Sequence, residues 1–140
     1  HLYPSNQGVF SKKLSNRFNI NTTRQTSGYL SDKIFSVFEN TEKSYKKRIL
    51  IGSDIPSLSK HDIEDSIHYL DSCDVVIGPS QDGGFYLVGT KNDSHHIFKN
   101  LKLDKITKDN IVELCCKEKL NFKILRILKD IDVPEDLLVL

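Results

Sequence analysis

The chain has 140 residues, the length of one average domain, and its 20 Lys and Arg against 19 Asp and Glu leave a formal net charge of +1, which argues against a broad basic field for nucleic acid. With 38% hydrophobic and 28% charged residues, the composition is that of a globular domain able to bury roughly two thirds of its unfolded surface. No apolar run comes near the ~18 residues that a membrane-spanning helix requires.

Phe10, Leu14 and Phe18, four residues apart, predict a short first helix, followed by a polar stretch over residues 19–24. Leu30, Ile34, Val37 and Phe38 recur at helical spacing, so residues 27–40 are expected to form an amphipathic helix. Ile49-Leu50-Ile51 is a continuous apolar run that stops at Gly52-Ser53-Asp54, the pattern of a strand buried on both faces. Ser59 caps the next helix, with Asp62 in its first turn and Ile63, Ile67 and Leu70 on one face. Val75-Val76-Ile77 is a second buried strand, and the strand–helix–strand succession predicts a right-handed βαβ unit with parallel strands.

Gln81-Asp82-Gly83-Gly84 is a tight-turn signal from which residues 85–89 leave as a strand. Thr107 caps a helix carrying Ile111, Leu114 and Cys115, and residues 122–128 are rich enough in β-formers for a last strand. The three cysteines, Cys73 and the adjacent pair Cys115-Cys116, lack C-x-x-C spacing. They read as reduced, packing thiols of a cytoplasmic protein, a redox or metal pair being the less economical reading. The chain begins at His1 and has no methionine, so it is expected to be the C-terminal part of a longer protein, and the whole of it is read as a single domain.

In an open α/β sheet, ligands bind beyond the carboxyl ends of the strands. Asp54, Asp82 and the pair Asp130/Asp132 fall at such ends, and residues two apart on extended chain point the same way. Two carboxylates ~4 Å apart repel by about 4 kcal/mol at an effective dielectric of 20, a cost that a cation would relieve, and an oxygen-only ligand set favours Mg²⁺ or Mn²⁺ over zinc. The plainer alternative is that Asp54 is a turn residue before Pro56 and Asp132 caps a final helix starting at Pro134. Likewise Gly83 and Gly84 either supply positive φ to a hairpin turn or let backbone approach a ligand. His61, Asp65 and His68 share a helix face at metal-ligand spacing, but that face lies opposite the apolar one and reads as solvated; His95 and His96 sit in a polar loop, and no role is assigned to either group.

Taken together, four segments are informative: Gln25-Thr26-Ser27-Gly28-Tyr29-Leu30-Ser31-Asp32-Lys33-Ile34, Ile51-Gly52-Ser53-Asp54-Ile55-Pro56-Ser57-Leu58, the run from Gly78-Pro79 through Asp82-Gly83-Gly84 to Gly89, and Asp130-Ile131-Asp132-Val133-Pro134-Glu135-Asp136-Leu137. In order and spacing they resemble the "QxxGDLGERM", "GTDCPGL", "GPAxDGGYYLIG" and "DIDTPEDL" segments of the DUF2064 family, glycosyltransferases associated with radical-SAM and arsenosugar gene clusters. The resemblance implies an α/β fold of the nucleotide-diphospho-sugar transferase (GT-A) type, a mostly parallel sheet flanked by helices. Ile55 and Ser57 stand where the family has Cys and Gly, Phe85 replaces a Tyr and Lys33 an Arg, and none of these changes removes a carboxylate. Nothing in residues 1–24 matches the family's opening strand and "PGxxKTRL" loop, so the fold is expected to lack its first βα unit.

In related nucleotidyltransferases of this fold, such as the 2-phospholactate guanylyltransferases, the corresponding aspartates hold the metal ions. The resemblance therefore implies Asp54, Asp130 and Asp132 as ligands to Mg²⁺ or Mn²⁺, Asp82 as the catalytic carboxylate facing sugar or acceptor, and Gly28, Lys33, Gly83 and Gly84 as substrate contacts. The implied partners are a nucleotide-sugar donor and a small-molecule acceptor, with neither nucleic acid nor a membrane span. A nucleotidyltransferase of the same fold is the alternative enzyme, and a non-catalytic remnant acting through protein contacts is the alternative from another class.

Overall fold

Val75, Val76 and Ile77 are β-branched residues with no solvent exposure, and they form the middle of the sheet. The computed structural model describes residues 13, 16–21, 23, 25–41, 44–99 and 101–131. These contain β1 (Lys47–Ile51), β2 (Val75–Pro79), β3 (Phe85–Lys91) and β4 (Phe122–Ile124), with helices α1 (Leu30–Asn40), α2 (Lys60–Tyr69) and α3 (Lys108–Lys117) and a 3₁₀ turn over Ser94–Phe98. Of the first predicted helix, residue 13 and residues 16–18 are helical, while Phe10 and Leu14 lie outside the described residues. Among the described residues no helix is long and apolar enough to cross a membrane.

The strand order is β1-β3-β2-β4, with β3 antiparallel to both β1 and β2 and β4 parallel to β2. β1, β2 and β4 thus share one direction, as the βαβ pattern requires, but β1 and β2 are not neighbours. The turn at Gly83-Gly84 folds β3 straight back along β2, and β3 takes the place that β1 would have filled. One consequence corrects the expectation of a fully buried first strand: β1 has a single described neighbour, and Ile51 is 45% exposed.

The two faces of the sheet carry separate cores. Val75, Ile77 and Val88 pack with Ile34 and Phe38 of α1, Ile97 and Phe98 of the 3₁₀ turn, and Ile111 and Cys115 of α3. Val76, Tyr86 and Leu87 pack with Ile55, Leu70 and Leu128 on the other side, which α2 covers. Burial pushes the Cys115 thiol up to about 12, so it is an inert packing residue, whereas Cys116 beside it is exposed and does not share that role.

Helix α2 is rotated from its predicted orientation. Its buried residues are Asp62 and Ser66, leading to Leu70, while Ile67 is 44% exposed. The buried Asp62 is paired with Arg126, as described below. Ser59 is the cap that the sequence predicts: its hydroxyl accepts the Asp62 N–H at 3.3 Å and the Asp62 carboxylate accepts the Ser59 N–H at 2.8 Å. Ser59→Ala should cost about 1 kcal/mol, read as a shift of the urea midpoint without a change in slope; an unchanged midpoint would show that the reciprocal bonds contribute nothing net.

His95, expected in a polar loop, is buried. Its Nδ1 takes a hydrogen bond from Arg48 Nη2 at 3.3 Å and its Nε2 lies 3.0 Å from Glu39. Because a guanidinium can only donate, Nδ1 must be the acceptor and Nε2 the donor toward Glu39. Arg48 also donates to the carbonyls of Phe38, at 2.7 Å, and Asn92, joining the end of α1, β1 and the 3₁₀ turn.

Candidate active site

The carboxyl ends of β1 and β2 and the amino end of β3 meet at one end of the sheet, because β3 is antiparallel to both. Ile51 pairs with Leu87, Pro79 pairs with Phe85, and the Gly52 N–H donates to the Tyr86 carbonyl at 2.8 Å. Asp54 follows β1 at this end and is exposed. Asp82 follows β2 in the five-residue connection to β3.

The chain after β4 delivers the third acidic group. The Leu125 N–H donates to the Ile77 carbonyl at 2.8 Å, Leu128 exchanges backbone bonds with Pro79 and Gln81 at 3.1 and 3.0 Å, and the Ile131 N–H then donates to the Asp54 carbonyl at 2.9 Å. Asp130, half-buried, is therefore carried onto the segment that holds Asp54. Asp132 lies outside the described residues, and among those described no three His, Cys, Asp or Glu side chains are grouped closely enough to hold a metal ion. Two of the three implied ligands thus sit on hydrogen-bonded segments, and their donors are hard carboxylate oxygens that suit Mg²⁺ or Mn²⁺.

Asp82 is held within its own turn. Its Oδ1 accepts the Ser80 hydroxyl at 2.5 Å and the Gly84 N–H at 2.8 Å, and its Oδ2 lies 3.8 Å from Lys105 Nζ. The Ser80 hydroxyl, then the Gly84 amide, hold the carboxyl below its ordinary value. As an ionised carboxylate it accepts hydrogen bonds readily. Gly83 adopts φ +87°, a conformation that side chains disfavour, and nothing lies within 4 Å of where its Cβ would stand. The N–H groups of Gly83 and Gly84 are taken by Ser80 and Asp82 inside the turn; Gly83 presents open backbone, whereas Asp82 Oδ1 and the Ser80 hydroxyl crowd Gly84, at 2.9 and 3.0 Å from where its Cβ would stand.

The remaining implied contacts lie farther along. Gly28, at φ +112°, leads into α1, whose Ser31 N–H donates to the Leu103 carbonyl at 3.2 Å; the Lys108 N–H donates in turn to the Gly83 carbonyl at 3.0 Å. The start of α1 and the Asp82 turn are joined through that connection. Lys33 lines an open cleft of about 270 Å³ together with Thr23, Gln25, Thr26, Ser36, Val37, Asn40 and Thr41, and none of the three described carboxylates borders it. His61 lies 3.6 Å from Asp65 and both His61 and His68 are exposed, the solvated face that was expected.

One pair escaped the sequence reading. Arg126 Nε donates to Asp62 Oδ1 at 2.6 Å and Nη2 donates to Oδ2 at 2.8 Å and to the Ser57 carbonyl at 3.2 Å. The Arg126 guanidinium, ahead of the opposing effect of burial, holds the Asp62 carboxyl far below the usual carboxylate range. Its contribution to stability is therefore fully present above the unfolded value near 4 and is lost only as the pH falls below that. The available signal was a lone arginine among Ile124, Leu125, Ile127 and Leu128.

The model of a family described as an uncharacterized protein conserved in bacteria (DUF2064) matches residues 4–104. The chain belongs to that family. The match takes in Asp54 and Asp82 and ends before Asp130. Over 83 residues, 59% of this DUF2064 chain and 36% of the relative, it is 34% identical to a 2-phospho-L-lactate guanylyltransferase of Methanocaldococcus vulcanius. It superposes with a TM-score of 0.80 on the crystal structure of a Desulfovibrio desulfuricans G20 protein assigned to the nucleotide-diphospho-sugar transferases, at 23% identity, covering 93% of this chain and 58% of that one. The fold is thus that of the nucleotide-diphospho-sugar transferases, and the chain spans between about a third and three fifths of the length of these relatives.

Proposed function

We propose that the chain carries the metal- and diphosphate-binding part of a transferase whose donor is a nucleotide-diphospho-sugar. The observation that supports this most directly is the hydrogen bond from the Ile131 N–H to the Asp54 carbonyl, which draws the last acidic segment to the carboxyl end of β1. In this reading Asp54, Asp130 and Asp132 hold Mg²⁺ or Mn²⁺. The bound ion supplies charge stabilisation to the diphosphate of the leaving group.

The chain's own residues do the rest. Asp82 Oδ2, kept ionised by its turn, accepts a hydroxyl of the sugar or the acceptor and orients it. The open backbone at Gly83 lets a sugar ring approach closely, and Lys105 stands beside Asp82 where a second anionic group would be met. Gly28 and Lys33, at the start of α1, are assigned to the substrate on family resemblance.

The likeness to a guanylyltransferase favours a second reading, in which a nucleoside triphosphate is consumed. The product decides between them. Incubation with Mn²⁺ and a panel of nucleotide sugars and nucleoside triphosphates should release a nucleoside diphosphate from one nucleotide sugar. Release of pyrophosphate from a triphosphate would instead establish the nucleotidyltransferase. If no panel member yields product or tightens Mn²⁺ binding, the remnant acting through protein contacts is the better account.

A further inference from the structure

Residues 125–131 are tethered on two sides, and the tethers differ in kind. Toward β2 the contacts are backbone bonds: the Leu125 N–H donates to Ile77, the Leu128 N–H donates to Pro79, and the Leu128 carbonyl accepts the Gln81 N–H. Toward the loop after β1 there is one backbone bond, from Ile131 to Asp54, and the Arg126 side chain. The guanidinium grips Asp62 with two parallel bonds and the Ser57 carbonyl with a third, three residues beyond Asp54. The loop between is short and partly closed on itself, the Leu58 N–H donating to the Ile55 carbonyl at 3.2 Å. From the far side, the Tyr86 hydroxyl donates to the Arg126 carbonyl at 3.1 Å, which fixes the backbone from which the side chain reaches out.

We propose that Arg126 is a positioning residue: through Asp62 and Ser57 it braces the loop bearing Asp54 against the segment bearing Asp130, and so sets the spacing of the two carboxylates. This rests on the metal-site reading given above. Its geometry differs from that of an ordinary surface ion pair. Asp62 is buried while Arg126 is 56% exposed, and the pair joins positions 64 residues apart. A planar guanidinium making two parallel bonds fixes direction as well as distance, which a lysine at the same place cannot do.

Mn²⁺ affinity, measured by electron paramagnetic resonance on the full chain, tests this with Arg126→Gln, Arg126→Lys, Asp62→Asn and the double variant Arg126→Gln/Asp62→Asn. Asp54→Asn reports whether the site exists. Cys115→Ala, in the core on the opposite face of the sheet, reports what lost stability alone does. Arg126→Gln and Asp62→Asn are each expected to weaken Asp54-dependent binding about fivefold or more, with the double variant no weaker than either single one, Arg126→Lys in between and Cys115→Ala unchanged. Should Arg126→Gln fail to fold, Arg126→Lys and Asp62→Asn carry the comparison. Unchanged affinity in the Arg126 and Asp62 variants, or an equal loss in Cys115→Ala, would overturn the positioning role and leave the metal site standing. Absence of any Asp54-dependent binding in the unaltered chain would overturn the metal site, and this proposal with it.

Discussion

Gly78→Ala is expected to be among the most destabilising single changes in the described sheet. A Cβ at this position would stand 2.5, 2.7 and 2.9 Å from Cζ, Cε2 and Cε1 of Tyr86, closer than real carbon contacts allow. Tyr86 is 1% exposed, so its ring has no space to retreat into, and its hydroxyl is committed to the Arg126 carbonyl. Overpacking of this kind costs about 1–3 kcal/mol, and a position where both partners are confined belongs at the upper end. For a domain of this size that corresponds to a fall in melting temperature of roughly 5–10 °C. The double variant Gly78→Ala/Tyr86→Leu identifies the cause: with the ring removed, the added methyl should cost far less than in the unaltered protein, giving a coupling above 1 kcal/mol. Additive effects would show that the clash is relieved elsewhere.

Asp54→Asn is expected to weaken Mn²⁺ binding at least tenfold while leaving the melting temperature within about 2 °C. The amide keeps the shape of the carboxylate, whose Oδ1 lies over Gly52 at 2.9 Å from where a Cβ there would sit, so the loop need not move. What is lost is one unit of negative charge in the proposed cation site, and each 1.4 kcal/mol of that interaction is a factor of ten. The side chain is exposed, which keeps the effect on stability small. Equal Mn²⁺ affinity in the variant and the unaltered chain would remove Asp54 from the metal site and turn attention to Asp82.

Much of this was legible in the amino-acid order because it depends on neighbours in sequence. The apolar runs at Ile49-Leu50-Ile51 and Val75-Val76-Ile77 form strands, and the capping pairs Ser59/Asp62 and Thr107/Asn110 start helices where their spacing says they should. The placement of Asp54 and Asp82 just beyond strand ends follows from the same local logic. The family motifs are likewise short segments that report a fold through residues close together in the chain.

Tertiary structure decided everything that requires two distant segments to be known at once. That β3 lies between β1 and β2 depends on which strand the Gly83 turn presses it against, and a period-2 pattern is silent about neighbours. Asp62 is buried where it meets Arg126, 64 residues away, which donates two bonds to its carboxylate, while Ile67 on the same helix is 44% exposed. The burial of His95 depends on Arg48 and Glu39, which supply the partners a buried imidazole needs. By itself, then, the sequence determined the order of the helices and strands and the acidic residues at their ends, but not the 3₁₀ turn over Ser94–Phe98 or the short extent of the last strand, Phe122–Ile124. The packed chain decided their adjacency and the bond that carries Asp130 to Asp54, since hydrogen bonds and charges are satisfied only where folding brings their partners together.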